Sequence, residues 1–398
     1  MTLSFEISKE LADYANTVRE WSVAECRPFA READDNHAPP VSWPEILDTS
    51  PVPLGRVDKP ESGPVPEFEE GYHVSKAVVT EALIYGDVWV LPVLGGGIGE
   101  LVVEAMGTPE QIAKWYDPIA AIGAPTGFAL TEPGFGSDTS LVSTTATREG
   151  DTWVINGTKI FCTQGATGEY VVVFATVDKS QGAKGINAFV VPKGTPGFTV
   201  PKITEDKMGI RSWVTSELLF DNCVIPLENR LGWSAEGPAE VRRSGRSGAL
   251  AALVHNRPRI SSMAMALAQA SLDITKGLLA GQKAGFTPQR WALIENELEN
   301  MEHALERGRR LVLRAQYLVD IGKDSSDTAA AAAAKGYPPQ TCERIIRRCI
   351  QLLGPEGWSK ELLLEKWYRD LKIMDIFEGS GQIQRIIAGR TLMGRLVG

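Results

Sequence analysis

The feature that most constrains this chain is a double change of texture along its 398 residues. Apolar residues first recur at helical spacing, as in Leu11, Tyr14, Ala15, Val18 and Trp21. From about residue 123 to about 235 the pattern becomes short β-branched runs, VVVFATV, NAFVVP and SELLFDNCVIP. It then returns to long helical stretches, RISSMAMALAQASLDITKGLLAG among them. The order α–β–α predicts an α+β chain, mainly α, in which a β domain interrupts a helical bundle. The expected domains are residues 1–122, 123–235 and 236–398.

Within this frame several local expectations follow. Thr108 before Pro109 is a helix N-cap with proline at the first helical position. Asn156-Gly157, between apolar segments in WVINGTKIF, reads as a hairpin turn in an antiparallel sheet or barrel. The stretch from Pro39 to Pro66 reads as a loop or irregular insertion, because proline removes donors and blocks helix. The alanine run after Asp327 reads as a close-packed helix.

Charge and cysteine usage narrow the function. The net charge of −9 disfavours a polyanion such as nucleic acid. Cys26, Cys162, Cys223, Cys342 and Cys349 form no CxxC pair, and the four histidines form no spaced cluster, so neither a disulfide framework nor a metal centre is expected. The N-terminus lacks a signal-peptide pattern, and the apolar run Val88 to Leu94 is too short to span a bilayer. A cytoplasmic protein without membrane insertion is the expectation.

Three segments carry the chemistry. FALTEPGFGSD (Phe128 to Asp138) reads as a strand entering a tight glycine turn, where Gly134 and Gly136 permit close backbone approach and Thr131 and Ser137 supply hydroxyls. KIFCTQG (Lys159 to Gly165) follows, and IFEGSGQIQR (Ile376 to Arg385) lies near the end. In this order they resemble the acyl-CoA dehydrogenase signatures (Y/F)xxTEPxxGSD, KxWITNG and IYEGTxQIQR. The resemblance covers nearly the whole chain, including the helix that begins near Arg257 and the segment Gln351 to Gly354.

The resemblance implies a helical N-terminal domain, a middle antiparallel β-barrel domain and a C-terminal four-helix bundle. It implies FAD, a homotetramer or homodimer, an acyl-CoA substrate, and an electron-transferring flavoprotein that reoxidises the cofactor, as in β-oxidation and lipid metabolism. By motif position, Phe128, Leu130 and Thr131 would line the flavin ring, with Gly136 and Ser137 near the pyrophosphate and Ser137 also near substrate. Phe161 would take the place of the usual tryptophan on the isoalloxazine face, since stacking needs a flat apolar surface. Thr163, Gln351, Ser380 and Gln382 match further FAD contacts. Arg257 and Gly379 match substrate-side positions, and Glu378 matches the base that removes the α-proton. In the family's chemistry the flavin ribityl 2′-hydroxyl and the N–H of the catalytic glutamate hold the thioester oxygen. The β-hydrogen passes to flavin as hydride, giving a trans-2-enoyl-CoA. A carboxylate in an apolar pocket is a stronger base, and the neighbours Ile376 and Phe377 suggest such a setting.

The chain also departs from the pattern. In place of the RxxFG arginine, whose guanidinium reaches the FAD pyrophosphate of a neighbouring subunit, stands GQKAGFTPQRW, with Lys283 and Phe286 nearby. Lysine is a poorer bidentate phosphate ligand. A glutamine expected further on falls near Trp291 or Ala292, QxxGG has become QLLGP with Pro355, and a pantetheine-contacting aspartate falls at Val254. Arg242, Arg243 and Arg246 form a basic run that reads as a solvated loop or as a site for CoA phosphates. The proline stretch replaces the family's usual glycine-rich loop, which helps wall the acyl pocket, and together these departures point to a divergent member acting on something other than a straight fatty acyl chain. Three readings stay open: a dehydrogenase, an oxygen-using relative such as an acyl-CoA oxidase, or a partner subunit completing a FAD site in a hetero-oligomer. Flavin monooxygenase relatives tend to lack the glutamate, so Glu378 argues against them.

Overall fold

The computed structural model describes residues 7–52, 68–94, 97–233, 245–323 and 328–397. Pro53, Pro60, Pro64 and Pro66, like Arg242 and Arg243, lie outside the described residues, as does the side chain of Arg246.

The N-terminal part is helical: α1 (Lys9–Trp21), α2 (Ala30–Asn36), α3 (Trp43–Asp48), α4 (Tyr72–Ile84), α5 (Ile98–Met106), α6 (Pro109–Gln111) and α7 (Asp117–Ile122). In α1 the predicted spacing buries Leu11 and Val18. Thr108 caps α6 in a capping box with Gln111, because its hydroxyl and the Gln111 side chain satisfy each other's orphan N–H groups. Part of the proline stretch corrects the loop reading. Pro44 sits at the first turn of α3, where a missing N–H costs nothing.

The middle part is a seven-stranded sheet of β1 (Gly127–Ala129), β2 (Thr145–Glu149), β3 (Thr152–Thr163), β4 (Tyr170–Thr176), β5 (Ile186–Pro192), β6 (Phe198–Lys202) and β7 (Thr215–Pro226). The order is β1-β4-β2-β3-β7-β6, with β5 on β4. It is a mixed sheet, because β4 runs parallel to both β1 and β2 where antiparallel pairing throughout was expected. β4 reads as one apolar run because both its faces are covered. Val172 and Phe174 face a cluster with Val102, Val103 and Ile119, while Val171, Val173 and Ala175 face Trp153, Phe189 and Phe220.

Asn156-Gly157 forms no hairpin. The strand β3 continues through it with a bulge opposite β7. At Gly157 φ is +153°, and a Cβ would stand 2.4 Å from Thr144 Oγ1. The glycine serves a close approach inside a strand rather than a turn.

The C-terminal part comprises α8 (Gly245–Gly281), α9 (Pro288–Asp320), α10 (Thr328–Gly336), α11 (Pro338–Leu353), α12 (Leu364–Met374) and α13 (Gly381–Val397). α8 and α9 pack with two further rods, α10–α11 and α12–α13, in a four-rod bundle that α4 also joins. The alanine run forms α10, and its small side chains are buried against the neighbouring helices. Cys342 and Cys349 are free and buried on the apolar face of α11.

One buried ionic cluster fixes how the three parts meet. Lys366 on α12 donates to Asp87 at 2.9 and 2.8 Å and to Asp370 at 2.7 Å, and Trp367 Nε1 also donates to Asp87. Asp370 in turn accepts the N–H of Ile210 from the β6–β7 loop. Buried charges are tolerated where several donors satisfy them, and here the bonded groups come from all three parts. α12 is thereby held in place four residues before Glu378. Among the described residues no helix is long and apolar enough to cross a membrane.

Candidate active site

α12 and α13 are joined by the turn Asp375 to Ser380, closed by the Gly381 N–H donating to Asp375 O at 2.8 Å. Glu378 sits in this turn at φ +56°, a left-handed conformation that a non-glycine residue holds only under constraint. The constraints are visible. Arg257 Nε donates to Glu378 O at 2.8 Å, and Lys335 Nζ to Met374 O at 2.6 Å and Gly379 O at 3.5 Å. Gly379 has φ +96°, and a Cβ there would lie 2.4 Å from the buried Gln384 amide.

The carboxyl group itself is asymmetric. Asn256 Nδ2 donates to Oε1 at 2.6 Å, whereas Oε2 is sealed from solvent without a partner. Burial pushes the Glu378 carboxyl above its ordinary value, against Lys335, the Asn256 hydrogen bond, Arg257 and Arg259, which pull it down. Burial likewise lowers Lys335 to about 8, against Glu378 and Asp375. The apolar setting expected from Ile376 and Phe377 is therefore wrong. Ile376 is exposed, Phe377 packs into the helical core, and the carboxyl group is surrounded by an amide and cations. The base is strengthened by burial, not by apolar neighbours. Among the described residues no acceptor pairs with the Glu378 N–H.

A second group of predicted residues gathers where β1 meets β3. The Ile160 N–H donates to Thr131 O at 3.0 Å. Leu130 O accepts from Lys159 Nζ at 3.1 Å, and the Phe128 ring lies 5.3 Å from that of Phe174. Thr163 ends β3 beside Thr215. Phe161 sits at φ +56° in a bulge and is 59% exposed. Gly136 and Ser137 are exposed, and a Cβ at Gly134 or Gly136 would meet no atom within 4 Å. The fold makes no internal demand for glycine there, which leaves room for a ligand.

The two motifs are joined by an ion pair that the sequence reading missed. Lys159 donates to Glu132 at 2.7 Å, both fully enclosed, and the Ser143 and Thr144 N–H groups add bonds of 2.8 and 2.9 Å. Burial alone would raise Glu132, but Lys159 and these donors hold it down at about 2. Both residues lie inside the quoted motifs, so their pairing was the available signal. Asn256 beside Arg257, and a lone lysine closing an alanine helix, were the signals for Asn256 and Lys335.

Other predicted residues stand apart. Ser380 accepts the Ile383 N–H at 3.4 Å at the start of α13, and Gln382 is exposed. Gln351 is exposed on α11 and accepts from Arg348 in the same helix at 3.2 Å. Lys283 is engaged by Glu295 at 3.7 Å and by the Trp291 ring at 4.9 Å.

The chain is similar to proteins of one known family. Residues 127–223 match the family model of the acyl-CoA dehydrogenase middle domain, and residues 243–393 that of the acyl-CoA dehydrogenase C-terminal domain. The chain is 35% identical over 382 residues to the rat (Rattus norvegicus) mitochondrial short-chain specific acyl-CoA dehydrogenase, covering 94% of this chain and 88% of the relative. It is 30% identical over 396 residues to the cyclohex-1-ene-1-carbonyl-CoA dehydrogenase of Syntrophus aciditrophicus, covering 98% and 91%. The solved butyryl-CoA dehydrogenase of Megasphaera elsdenii superposes with a TM-score of 0.82 at 28% identity, over 98% of this chain and 100% of that one.

Proposed function

This chain belongs to the acyl-CoA dehydrogenase family, and we propose from that premise that Glu378 is the base of its reaction. The reaction is FAD-dependent α,β-dehydrogenation of an acyl-CoA thioester to a trans-2-enoyl-CoA. The observation that carries the assignment is the unpartnered, sealed Oε2 of a carboxyl whose other oxygen is already held.

The residues present fit FAD. Phe161 offers a flat apolar face to an isoalloxazine ring, and the open backbone at Gly134 to Ser137 suits a pyrophosphate. Phe128, Leu130, Thr131, Gly136, Ser137, Phe161, Thr163, Ser380, Gln382 and Gln351 are the residues that would hold it. FAD supplies the acceptor for the β-hydrogen and its electron pair. An electron-transferring flavoprotein is the fitting reoxidant, and the enzyme works in the cytoplasm as a homo-oligomer.

The chain's own residues do the rest. Burial disfavours the ionised carboxylate, so Glu378 is a stronger base than a solvated glutamate, and Oε2 takes the α-proton. Asn256 keeps Oε1 fixed, and Arg257 holds the backbone oxygen of the same residue. The Glu378 N–H, without an acceptor among the described residues, is the donor available to a thioester oxygen as charge develops there. Arg257, Gly379 and Ser137 would flank the substrate.

Glu378→Gln keeps the shape and removes the base. The expected result is a yellow protein that still binds acyl-CoA, with turnover in a ferricenium-linked assay down by roughly a thousandfold or more. A variant retaining a tenth of wild-type turnover overturns the assignment.

A further inference from the structure

Arg259 lies on α8, three residues past Asn256, so the two share a face of the helix next to Glu378. Its Nε is sealed from solvent without a hydrogen-bond partner, and among the described residues no carboxylate comes within ion-pair distance of its guanidinium. That is an unusual condition. Buried arginines are normally paired, because the fork of donors is costly to desolvate alone. Burial pushes Arg259 down, and the charges that oppose this are those of Glu378, Tyr72 and Glu100.

Glu100 repeats the pattern from the facing helix. It sits on α5, which packs against α8, and its Oε2 is also sealed and unpartnered. Glu378, Arg259 and Glu100 each keep partial exposure as residues while one polar atom is shut in. Glu378 and Glu100 both act on Arg259 by their charge. Three neighbouring ionisable groups, each with a polar atom sealed and unpartnered, call for a polar occupant.

We propose that Arg259 is a substrate-recognition residue that receives an oxygen on the acyl group, at a distance from the thioester. The preferred substrate class is therefore an acyl-CoA whose chain carries a carboxylate or hydroxyl, not a plain alkyl chain. This rests on the dehydrogenase reading above and extends it to the far end of the same site. The guanidinium has donors only, so the group it receives must be an acceptor, and a carboxylate can take two parallel bonds. Three residues of helix, about 4.5 Å of rise, separate Arg259 from the residue that holds Glu378, a span that a short acyl chain covers. Glu100 would add a donor when protonated and an acceptor for a hydroxyl when ionised.

The test compares hexanoyl-CoA, ω-hydroxyhexanoyl-CoA and adipoyl-CoA on the FAD-loaded wild type, Arg259→Leu and Arg259→Lys. The expected wild-type kcat/KM for adipoyl-CoA exceeds that for hexanoyl-CoA by roughly tenfold to a hundredfold. Arg259→Leu should bring that ratio to about one or below, with Arg259→Lys between. A gain for both oxygenated chains assigns a hydrogen bond, and a gain for the acid alone assigns charge; either supports the proposal. A wild type that prefers hexanoyl-CoA, or a ratio unmoved in Arg259→Leu, overturns it. Calorimetric binding to Glu378→Gln reads recognition apart from turnover, and adipoyl-CoA should bind more tightly than hexanoyl-CoA. Failure of the wild type to oxidise any of the three would instead overturn the dehydrogenase reading.

Discussion

Asn256→Leu isolates one interaction at the reacting carboxyl. In the wild type the amide donates to Glu378 Oε1 at 2.6 Å, in a place where the side chain is almost fully enclosed. A donor to a carboxylate favours the ionised form, so its removal leaves burial less opposed and the pKa must rise. A hydrogen bond to a charged partner is worth about 1.5–3 kcal/mol. At about 1.36 kcal/mol per pH unit, its loss moves Glu378 up by roughly 1–2 units. Glu378 must be ionised to take the α-proton, so the acid limb of the kcat profile should move to higher pH by that amount, while kcat on the alkaline plateau changes far less. Asn256→Asp sets a second carboxyl against the first and should move the limb upward as well. The assay is ferricenium-linked turnover of one acyl-CoA from mildly acidic to mildly alkaline pH, on FAD-loaded protein. An acid limb that stays in place in Asn256→Leu, or moves down, would refute the reasoning. A merely structural role for Asn256 would lower kcat at every pH without displacing the limb.

Two further perturbations read the supports of the site. Lys335→Met removes the donor to Met374 O and Gly379 O, which loosens the turn that presents Glu378; kcat should fall by roughly tenfold to a hundredfold with KM little changed, and an equal loss in both would speak against a positioning role. Lys159→Met leaves the Glu132 carboxylate buried without its cation, at a cost of about 3–5 kcal/mol, so the melting temperature should fall by several degrees and recover in large part in the double variant with Glu132→Gln. The same pair gives an acid dependence. Glu132 is held at about 2, below the ordinary carboxylate range, so its contribution to stability is present above that range and is lost as pH falls towards 2.

Much of the architecture was legible because local chemistry agrees with the global fold. The helical period of α1, the capping box at Thr108 and the alanine helix α10 are written in neighbouring residues. The mixed sheet was not legible, since parallel pairing of β4 with β1 and β2 joins segments separated by long connections. Asn156-Gly157 misled because a glycine required by the Thr144 side chain looks, along the sequence, like a glycine required by a turn. The turn at Glu378 was readable as a motif, yet its polar surroundings were not, because Ile376 and Phe377 point elsewhere.

The sequence by itself determined which short segments could carry chemistry. FALTEPGFGSD, KIFCTQG and IFEGSGQIQR are each contiguous, and each owes its shape to the backbone habits of its own residues. Only the tertiary structure decided what those segments meet. Asn256 reaches Glu378 across 122 positions and Lys335 reaches Gly379 across 44. Among the described residues the Nε of Arg259 has no partner, and it stands where α8 packs on α5, a packing that no local pattern specifies. Hydrogen bonds and charges act through space within a few ångströms, and it is the packing of α5, α8, α10 and the α12–α13 turn that brings these groups within that range.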